Sequence, residues 1–247
     1  MAELLLIHGA WHGAWCWDEL IPLLEARGHR VSAIDLPGLG ADQTPNSEIT
    51  LDSYAQRIAG HVRSLPGKVW LVGHSMGGLA ITQAAELVPD RLEGSVYVTA
   101  AVPLNGQSMS DAFAQTGEAT VAGRMEFDPE TNTAFVPDEH LRDMFYHLCS
   151  DAQVERARRL LRPRQAMAPT GAKVSTSPER FGAVPRFYVE CLQDRALPIG
   201  FQRGMHQAAG MTGVVTLDSD HSPFFSRRAE LAAAIDSFTA GTLAEHR

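Results

Sequence analysis

Short apolar runs alternate along the chain with stretches whose apolar residues have helical spacing. The runs, rich in valine, isoleucine and leucine, predict six β-strands: Leu4–Ile7, Arg30–Ile34, Val69–Val72, Ser95–Thr99, Arg186–Cys191 and Val214–Leu217. Apolar and polar residues do not alternate cleanly within them, which is typical of parallel strands covered on both faces. The alternation of strands with helical stretches predicts an α/β fold with a mostly parallel sheet of about six strands flanked by helices.

Signals for helix ends support the helices predicted between these strands. One helical face holds five apolar residues: Leu51, Tyr54, Ile58, Val62 and Leu65. Thr50 directly precedes that face and is predicted to cap the helix. Gly28 follows a shorter apolar stretch and is predicted to end the helix there. Ser226 is predicted to cap the last helix, whose apolar stripe begins at Leu231.

Residues 102–184 interrupt the alternation of strands and helices. The stretch contains loops and helical patterns but no convincing strand. Ser150 and Gln153 resemble a capping box at the start of one of its helices. We therefore expect a helical lid inserted into a core domain formed by residues 1–101 and 185–247. The lid's four methionines either line an adaptable apolar pocket or pack in the ordinary way: Met109, Met125, Met144 and Met167.

Charge and composition narrow the list of partners. The 247 residues carry a formal net charge of −8, and 45% of them are hydrophobic. An acidic chain offers no electrostatic attraction to nucleic acid or to an anionic membrane, so neither is expected as a partner. The first apolar run is too short for a signal peptide, and no run approaches membrane-spanning length. Cys16, Cys149 and Cys191 are far apart and odd in number, which favours buried free thiols. We expect a cytoplasmic protein.

The most informative segment follows the third predicted strand and reads Gly73-His74-Ser75-Met76-Gly77. A Gly-x-Ser-x-Gly sequence between a strand and a helix is typical of a sharp turn that presents a nucleophilic serine. Such a turn needs glycines because a side chain at either position would clash with neighbouring backbone. The helix that follows also points free N–H groups at the reacting oxygen. Ser75 is therefore predicted to be a nucleophile.

A serine nucleophile needs N–H donors for the negative charge that develops on the substrate oxygen. One predicted donor is the backbone of Met76, directly after the nucleophile, and the other is Ala10, in the glycine-containing loop after the first strand. His8 and His12 lie four residues apart in that loop, a spacing that converges on a metal only in a helix. They are predicted to shape the loop, and no metal is predicted.

The general base and its carboxylate partner are predicted from their positions after strands. His221 follows the last strand, whereas the rival His206 falls within a predicted helix and His246 lies in the terminal tail. Asp194 follows the fifth strand, which gives the order serine, acid, histidine. Asp220 is adjacent to His221 and would have difficulty reaching its Nδ1 atom. Asp194 is thus predicted to hold the imidazole tautomer and to stabilise the imidazolium.

These residues resemble the plant-type methylesterase and hydroxynitrile-lyase branch of the α/β-hydrolase superfamily. The matching pieces span nearly the whole chain: Ile7-His8-Gly9-Ala10, His12-Gly13-Ala14-Trp15, Gly28-His29-Arg30-Val31, Ala33-Ile34-Asp35-Leu36, Gly73-His74-Ser75-Met76-Gly77-Gly78, Tyr146-His147-Leu148-Cys149-Ser150, Asp194 with Pro198, Phe201 and Gln202, and Asp220-His221. The resemblance implies an α/β-hydrolase fold and a cofactor-free enzyme with a helical lid over an apolar pocket, often dimeric. Similar lyases place a threonine where Gly9 stands and a lysine where Ser222 stands.

The leading functional hypothesis is a serine esterase that cleaves a small or medium hydrophobic or aryl carboxylic ester through an acyl-enzyme. The alternatives are a hydroxynitrile-lyase-like or C–C bond-cleaving enzyme, and a ligand receptor with slow turnover. Residues predicted to contact substrate are Gly9, Trp11, Met144, Phe145 and Phe224, with Met76, Phe201 and Phe225 as further candidates for an apolar wall. Five arginines crowd the stretch 156–164, either as a solvated helix face or as a dock for an acidic substrate or partner.

Overall fold

A computed structural model describes residues 1–116 and 120–241, so His246 lies outside the described residues. The strands are β1 (Glu3–Ile7), β2 (Arg30–Ile34), β3 (Val69–Ser75), β4 (Leu92–Ala100), β5 (Glu126–Asp128), β6 (Thr133–Phe135), β7 (Gln165–Ala166), β8 (Arg186–Cys191) and β9 (Gly213–Leu217). The helices are α1 (Ile21–Glu25), α2 (Leu51–Ser64), α3 (Gly77–Leu87), α4 (Met109–Thr116), α5 (Asp138–Phe145), α6 (Asp151–Leu160), α7 (Ala168–Gly171), α8 (Ile199–Ala208), α9 (Pro223–Ser226) and α10 (Arg228–Thr239).

Six strands form one sheet in the order β2-β1-β3-β4-β8-β9, and every neighbouring pair is parallel. All six predicted strands are present, and the predicted α/β architecture is confirmed. Apolar residues pack on both faces: in β1, Leu4 and Leu6 join one buried cluster, and Leu5 and Ile7 join the other. The four central strands, β1, β3, β4 and β8, are therefore covered on both faces, which explains why they lack alternation.

Two of the predicted caps are confirmed as capping boxes. The Thr50 side chain accepts a 3.0 Å hydrogen bond from the Ser53 N–H at the start of α2. Ser150 and Gln153 bond reciprocally at the start of α6. The predicted cap at Ser226 is wrong. Ser226 is the last residue of α9, and its hydroxyl donates to the Asp220 carboxylate at 2.7 Å instead.

The chain reverses after α1 at Gly28. The Gly28 N–H donates to the carbonyl of Glu25 at 2.8 Å, and Gly28 has a φ of +86°, in the left-handed region that favours glycine. The helix itself ends earlier than predicted, at Glu25 with Ala26 as its C-cap, and Gly28 lies in the turn that follows.

The inserted segment, residues 102–184, differs from the all-helical expectation. It contains the helices α4 to α7, but also a small antiparallel sheet in the order β5-β6-β7. These strands are two or three residues long, too short to show an apolar pattern. The pairing of Ala134 with Gln165 also joins residues far apart in the sequence. The expectation of no strand in this segment was wrong for those two reasons.

Most of the arginines around α6 bind carboxylates of the same chain. Arg156 pairs with Asp18, and Arg158 pairs with Asp138 at 2.9 Å. Arg158 also pairs with a glutamate of its own helix, and a fourth pair holds the arginine just before β7. These contacts favour a solvated helix face over a dock for an acidic partner.

The cysteine prediction is confirmed, since Cys16, Cys149 and Cys191 are all buried free thiols. Among the residues that the structure describes, no helix is both long enough and apolar enough to cross a bilayer.

Candidate active site

The turn between β3 and α3 presents the Ser75 side chain at the carboxyl edge of the sheet. Ser75 has a φ of +53°, in the left-handed region that a residue with a side chain rarely adopts. Gly77 makes this turn possible, because a Cβ there would lie 2.7 Å from the carbonyl oxygens of Ile7 and His8. A Cβ on Gly73 would lie 2.9 Å from the carbonyl oxygen of Gly77. The two glycines of the motif thus let β1 and α3 approach the turn closely.

The structure brings the three residues of the predicted triad together. The Ser75 hydroxyl oxygen lies 3.0 Å from Nε2 of His221, and Nδ1 of His221 lies 2.7 Å from a carboxylate oxygen of Asp194. All three side chains lie at the carboxyl edge of the sheet: Ser75 is the last residue of β3, and Asp194 and His221 lie in the loops after β8 and β9. All three residues are buried, and Ser75 and His221 also line the cavity described below. These distances suit proton transfer from the serine to the histidine.

The Asp194 carboxylate is held by donors on both oxygens. Oδ1 accepts hydrogen bonds from the N–H groups of Ala196 at 2.7 Å and Leu197 at 2.8 Å. Oδ2 accepts a bond from the Thr99 hydroxyl as well as the one to His221. Thr99 was not predicted from the sequence. Its position at the carboxyl end of β4 was the only available signal.

Asp220 takes part in a different set of contacts. One oxygen accepts from the N–H of Leu148 at 2.9 Å, and the other accepts from the Ser226 hydroxyl at 2.7 Å and the N–H of Ser222 at 3.1 Å. The carboxylate therefore ties the His221 loop to the inserted segment and to α9. No hydrogen bond between its carboxylate and the His221 ring is found in the described part of the chain.

Ala10 and Met76 both line the cavity beside Ser75. Within residues 1–116 and 120–241, the backbone N–H of neither residue donates a hydrogen bond. Gly9 lies against the nucleophile, since a Cβ there would be 2.8 Å from the Ser75 Cβ. Two free N–H groups beside a serine hydroxyl are the arrangement that an oxyanion requires.

Comparison with known proteins agrees with this geometry. Residues 4–234 match the model of the alpha/beta hydrolase family. The chain belongs to the α/β-hydrolase family. It is 33% identical to methylesterase 9 of Arabidopsis thaliana over 94% of this chain and 95% of that protein. This match supports the methylesterase-like branch of the family that the sequence motifs indicated.

Two solved structures of hydrolases superpose closely on this member of the family. One is a mutant of polyneuridine aldehyde esterase, with a TM-score of 0.86 and 27% identity over 96% of this chain and 99% of that one. The other is a pyrethroid hydrolase from Sphingobium faniae JZ-2, with a TM-score of 0.85 and 30% identity over 97% of each chain. The α/β-hydrolase fold predicted from the motifs is thereby confirmed.

Three further histidines of this α/β-hydrolase are buried near the site, and burial lowers the pKa of each. The pKa of His12 falls to about 3 because of burial, so its ring is neutral, with Nδ1 donating to the Ala10 carbonyl at 2.7 Å. His8 accepts at Nε2 from the Leu36 N–H at 3.1 Å, and burial lowers its pKa too.

His74, the third of these histidines, donates from Nε2 to the backbone carbonyl of His221 at 2.7 Å, and its pKa is lowered well below the usual value, again mainly by burial. These bonds place His8, His12 and His74 as supports of the loops that carry the site. Within the described residues, no group of three histidine, cysteine or carboxylate side chains is arranged to hold a metal ion.

A cavity opens at Ser75, His221, Ala10 and Met76. Its remaining wall is mostly apolar and comes largely from the inserted segment: Trp11, Met109, Phe113, Val121, Met125, Phe145 and Met167, with His12, Ser110, Gln165 and Thr170 as its other polar residues. The predicted wall residues Trp11 and Phe145, and three of the four methionines, are therefore in place.

Several aromatic and sulfur side chains predicted for the wall lie elsewhere. Met144 and Phe224 are fully buried and do not line the cavity. Phe224 packs edge-on against His74 with 5.0 Å between ring centroids, so it supports the site from behind. Phe201 and Phe225 also lie outside the lining. Their helices point these side chains into the core, a direction that sequence order alone did not reveal.

Proposed function

We propose that the protein is a serine esterase that hydrolyses a hydrophobic or aryl carboxylic ester of small or medium size through an acyl-enzyme. Its similarity in sequence and structure to the methylesterase and the two solved hydrolases supports a carboxylic-ester hydrolase. The observation that carries the mechanism is the hydrogen-bonded chain from Ser75 through His221 to Asp194, set at the end of an apolar cavity.

The proposed reaction uses each residue in one role. Nε2 of His221 removes the hydroxyl proton as the oxygen of Ser75 attacks the ester carbonyl. The N–H groups of Ala10 and Met76 stabilise the oxyanion of the tetrahedral intermediate. His221 then protonates the departing alcohol, which leaves the acyl group on Ser75. Water, deprotonated by the same imidazole, attacks the acyl-enzyme and releases the acid. Side chains, ester and water supply every group in this sequence, so no cofactor or metal is required.

The lining of the cavity supports an apolar substrate. Burial of apolar surface contributes about 25 cal/mol per Å² to binding, and the wall offers methionine and aromatic side chains for it. Flexible methionines adapt to more than one shape, which suits a medium acyl chain or an aryl ring. The inserted segment supplies nine of the fifteen lining residues, and we assign it the role of a lid over the substrate.

The first test is a panel of p-nitrophenyl and methyl esters with graded acyl length. We expect kcat/KM to rise from acetyl toward medium acyl or aryl groups, and a burst of p-nitrophenol to precede steady turnover. A burst of one equivalent without later turnover would instead identify a receptor with slow turnover. Equal activity on a charged, hydrophilic ester of the same size would contradict the assignment of an apolar substrate.

The lyase alternative predicts different chemistry at Gly9 and Ser222. Cleavage of a cyanohydrin requires a group that holds the substrate hydroxyl and a positive charge near the departing cyanide. Gly9 has no side chain, and a Cβ there would lie 2.8 Å from both the Ser75 Cβ and Nδ1 of His74. Ser222 is neutral and fully buried.

We therefore expect no appreciable cyanide release from mandelonitrile or acetone cyanohydrin at mildly acidic pH. Release that depends on Ser75 and exceeds hydrolysis of the best aryl ester would make the lyase function the better one. The homodimer that the family resemblance implies, and the cytoplasmic location expected from the sequence, stay predictions.

A further inference from the structure

The polar groups of Trp11, the residue directly after Ala10, are bound by the inserted segment. Its N–H donates to the side-chain oxygen of Gln165 at 2.7 Å, and its indole N–H donates to the carbonyl of Ala134 at 2.9 Å. Its carbonyl accepts from the N–H of Arg162 at 2.8 Å. Trp11 has a φ of +59°, which is unfavourable for a residue with a Cβ. The three contacts therefore hold a conformation that the loop would not favour alone.

Gln165 touches both sides of the proposed oxyanion hole. Its side-chain oxygen accepts from Trp11, and its side-chain nitrogen lies 2.7 Å from the sulfur of Met76. Gln165 is buried and lies in β7, the shortest strand of the small sheet β5-β6-β7. One amide thus spans the gap between the residue that follows Ala10 and the residue that supplies the second N–H donor.

A second set of bonds holds the other edge of the same peptide. The Ala10 carbonyl accepts from Nδ1 of His12 at 2.7 Å, and Nε2 of His12 accepts from the Tyr146 hydroxyl at 2.6 Å. Tyr146 also belongs to the inserted segment. The Ala10–Trp11 peptide is therefore fixed on both edges, on one side by Gln165 and on the other through His12.

We propose that Gln165 is a positioning residue that sets the distance and direction of the Ala10 and Met76 N–H groups. On this account the inserted segment builds the oxyanion hole as well as the roof of the cavity. The proposal rests on the proposed esterase function. Its physical reason is that donors stabilise a developing oxyanion only when they are fixed in advance, and small displacements of a reacting group are costly. Without Gln165, the buried N–H of Trp11 loses its acceptor, and the loop shifts to satisfy it.

The test compares Gln165→Met with Gln83→Met. Methionine is close to glutamine in size but accepts no strong hydrogen bond. Gln83 is a suitable control because its amide also bridges to the inserted segment, through both backbone groups of Ser175, yet touches no residue of the site. We expect Gln165→Met to lower kcat roughly 10- to 100-fold, less than the loss of a whole oxyanion donor, with KM changed by less than about twofold. Gln83→Met is expected to leave both parameters unchanged.

A trifluoromethyl ketone analogue of the best ester separates positioning from a merely structural role. Its adduct with Ser75 carries an oxyanion, so its affinity should fall by the same factor as kcat, while affinity for a non-reactive amide analogue should hold. Gln165→Asn, whose side chain is one methylene shorter, is expected to lose affinity for the trifluoromethyl ketone but not for the amide. It replaces the methionine variant in the test if that variant does not fold.

Two results would overturn the proposal: unchanged kcat and trifluoromethyl ketone affinity in both Gln165 variants, or an equal loss in Gln83→Met. Failure of the esterase function itself would appear separately, as hydrolysis that persists in Ser75→Ala.

Discussion

At the residue scale, hydrogen-bond partners decide which of two buried carboxylates serves the histidine. The Asp194 carboxylate accepts a hydrogen bond from Nδ1 of His221. The Asp220 carboxylate instead accepts hydrogen bonds from Leu148, Ser222 and Ser226. Asp194→Asn should therefore lower kcat by up to about 10⁴ near neutral pH, because an amide favours the wrong imidazole tautomer.

Asp220→Asn should cost much less activity but should lower the melting temperature, since it disturbs a buried network that ties the His221 loop to the inserted segment. Steady-state kinetics and thermal unfolding of the two variants give the comparison. If Asp220→Asn loses more activity than Asp194→Asn, the roles of the two carboxylates are reversed.

The residues with local signals were predictable, and those with long-range partners were not. Ser75 lies in a five-residue motif, and Asp194 and His221 directly follow strands, so sequence order sufficed to select them. Thr99 and Gln165 carry no such signal, because each acts through a contact with a residue far away in the sequence. Thr99 lies near the end of β4 and Gln165 begins the two-residue β7, and the ends of elements are what sequence patterns describe least well.

At the scale of elements, the capping box of α6 makes a separable contribution to stability. The Ser150 hydroxyl accepts from the Gln153 N–H at 3.4 Å, and the Gln153 side chain accepts from the Ser150 N–H at 3.0 Å. Ser150→Ala should destabilise the protein by about 1 kcal/mol and lower the melting temperature by about 2–4 °C for a chain of this size.

Because neither Ser150 nor Gln153 lines the cavity, kcat should not change in Ser150→Ala. Thermal unfolding together with kinetics checks this, and an unchanged melting temperature or a large loss of kcat would contradict the assigned role of the cap.

The elements show the same division between local and distant signals. The six core strands are long enough for their composition to predict them, and the capping box of α6 could be predicted from two residues three positions apart. The small sheet β5-β6-β7 was missed because β7 has two residues and pairs with β6 across about thirty positions of sequence. The missed sheet matters for function, since it is the element that carries Gln165.

At the scale of the whole molecule, the buried neutral histidines predict sensitivity to acid. His8, His12 and His74 each have a pKa lowered by burial, and that of His12 is about 3. In the unfolded chain these rings take up protons below about pH 6.5, so unfolding binds protons and stability falls as the pH drops through that value.

Each ring contributes a slope of up to about 1.4 kcal/mol per pH unit. Burial raises the pKa of Glu190, but hydrogen bonds from Arg203 and other donors outweigh this effect and lower the pKa to about 2. Glu190 therefore loses its contribution to the free energy of unfolding only below about pH 4.5. Between pH 6.5 and 5, the change in the free energy of unfolding therefore comes from the histidines. Urea unfolding at pH 7.5 and 5.5 should show a lower free energy of unfolding at the lower pH. Equal or greater stability at pH 5.5 would show that these rings do not stay neutral in the folded state.

The nucleophile is the claim on which the rest of the account depends, and Ser75→Ala tests it most directly. The substitution removes one oxygen at a site where the backbone is already fixed by the glycines, so circular dichroism and the melting temperature should match the parent protein. We predict that kcat on the best aryl ester falls by roughly 10⁴- to 10⁶-fold, and that adding His221→Ala lowers it little further, because the residues act as a unit. A folded Ser75→Ala protein that keeps more than about a tenth of the parent activity, against the loss expected for a triad nucleophile, would contradict the assignment.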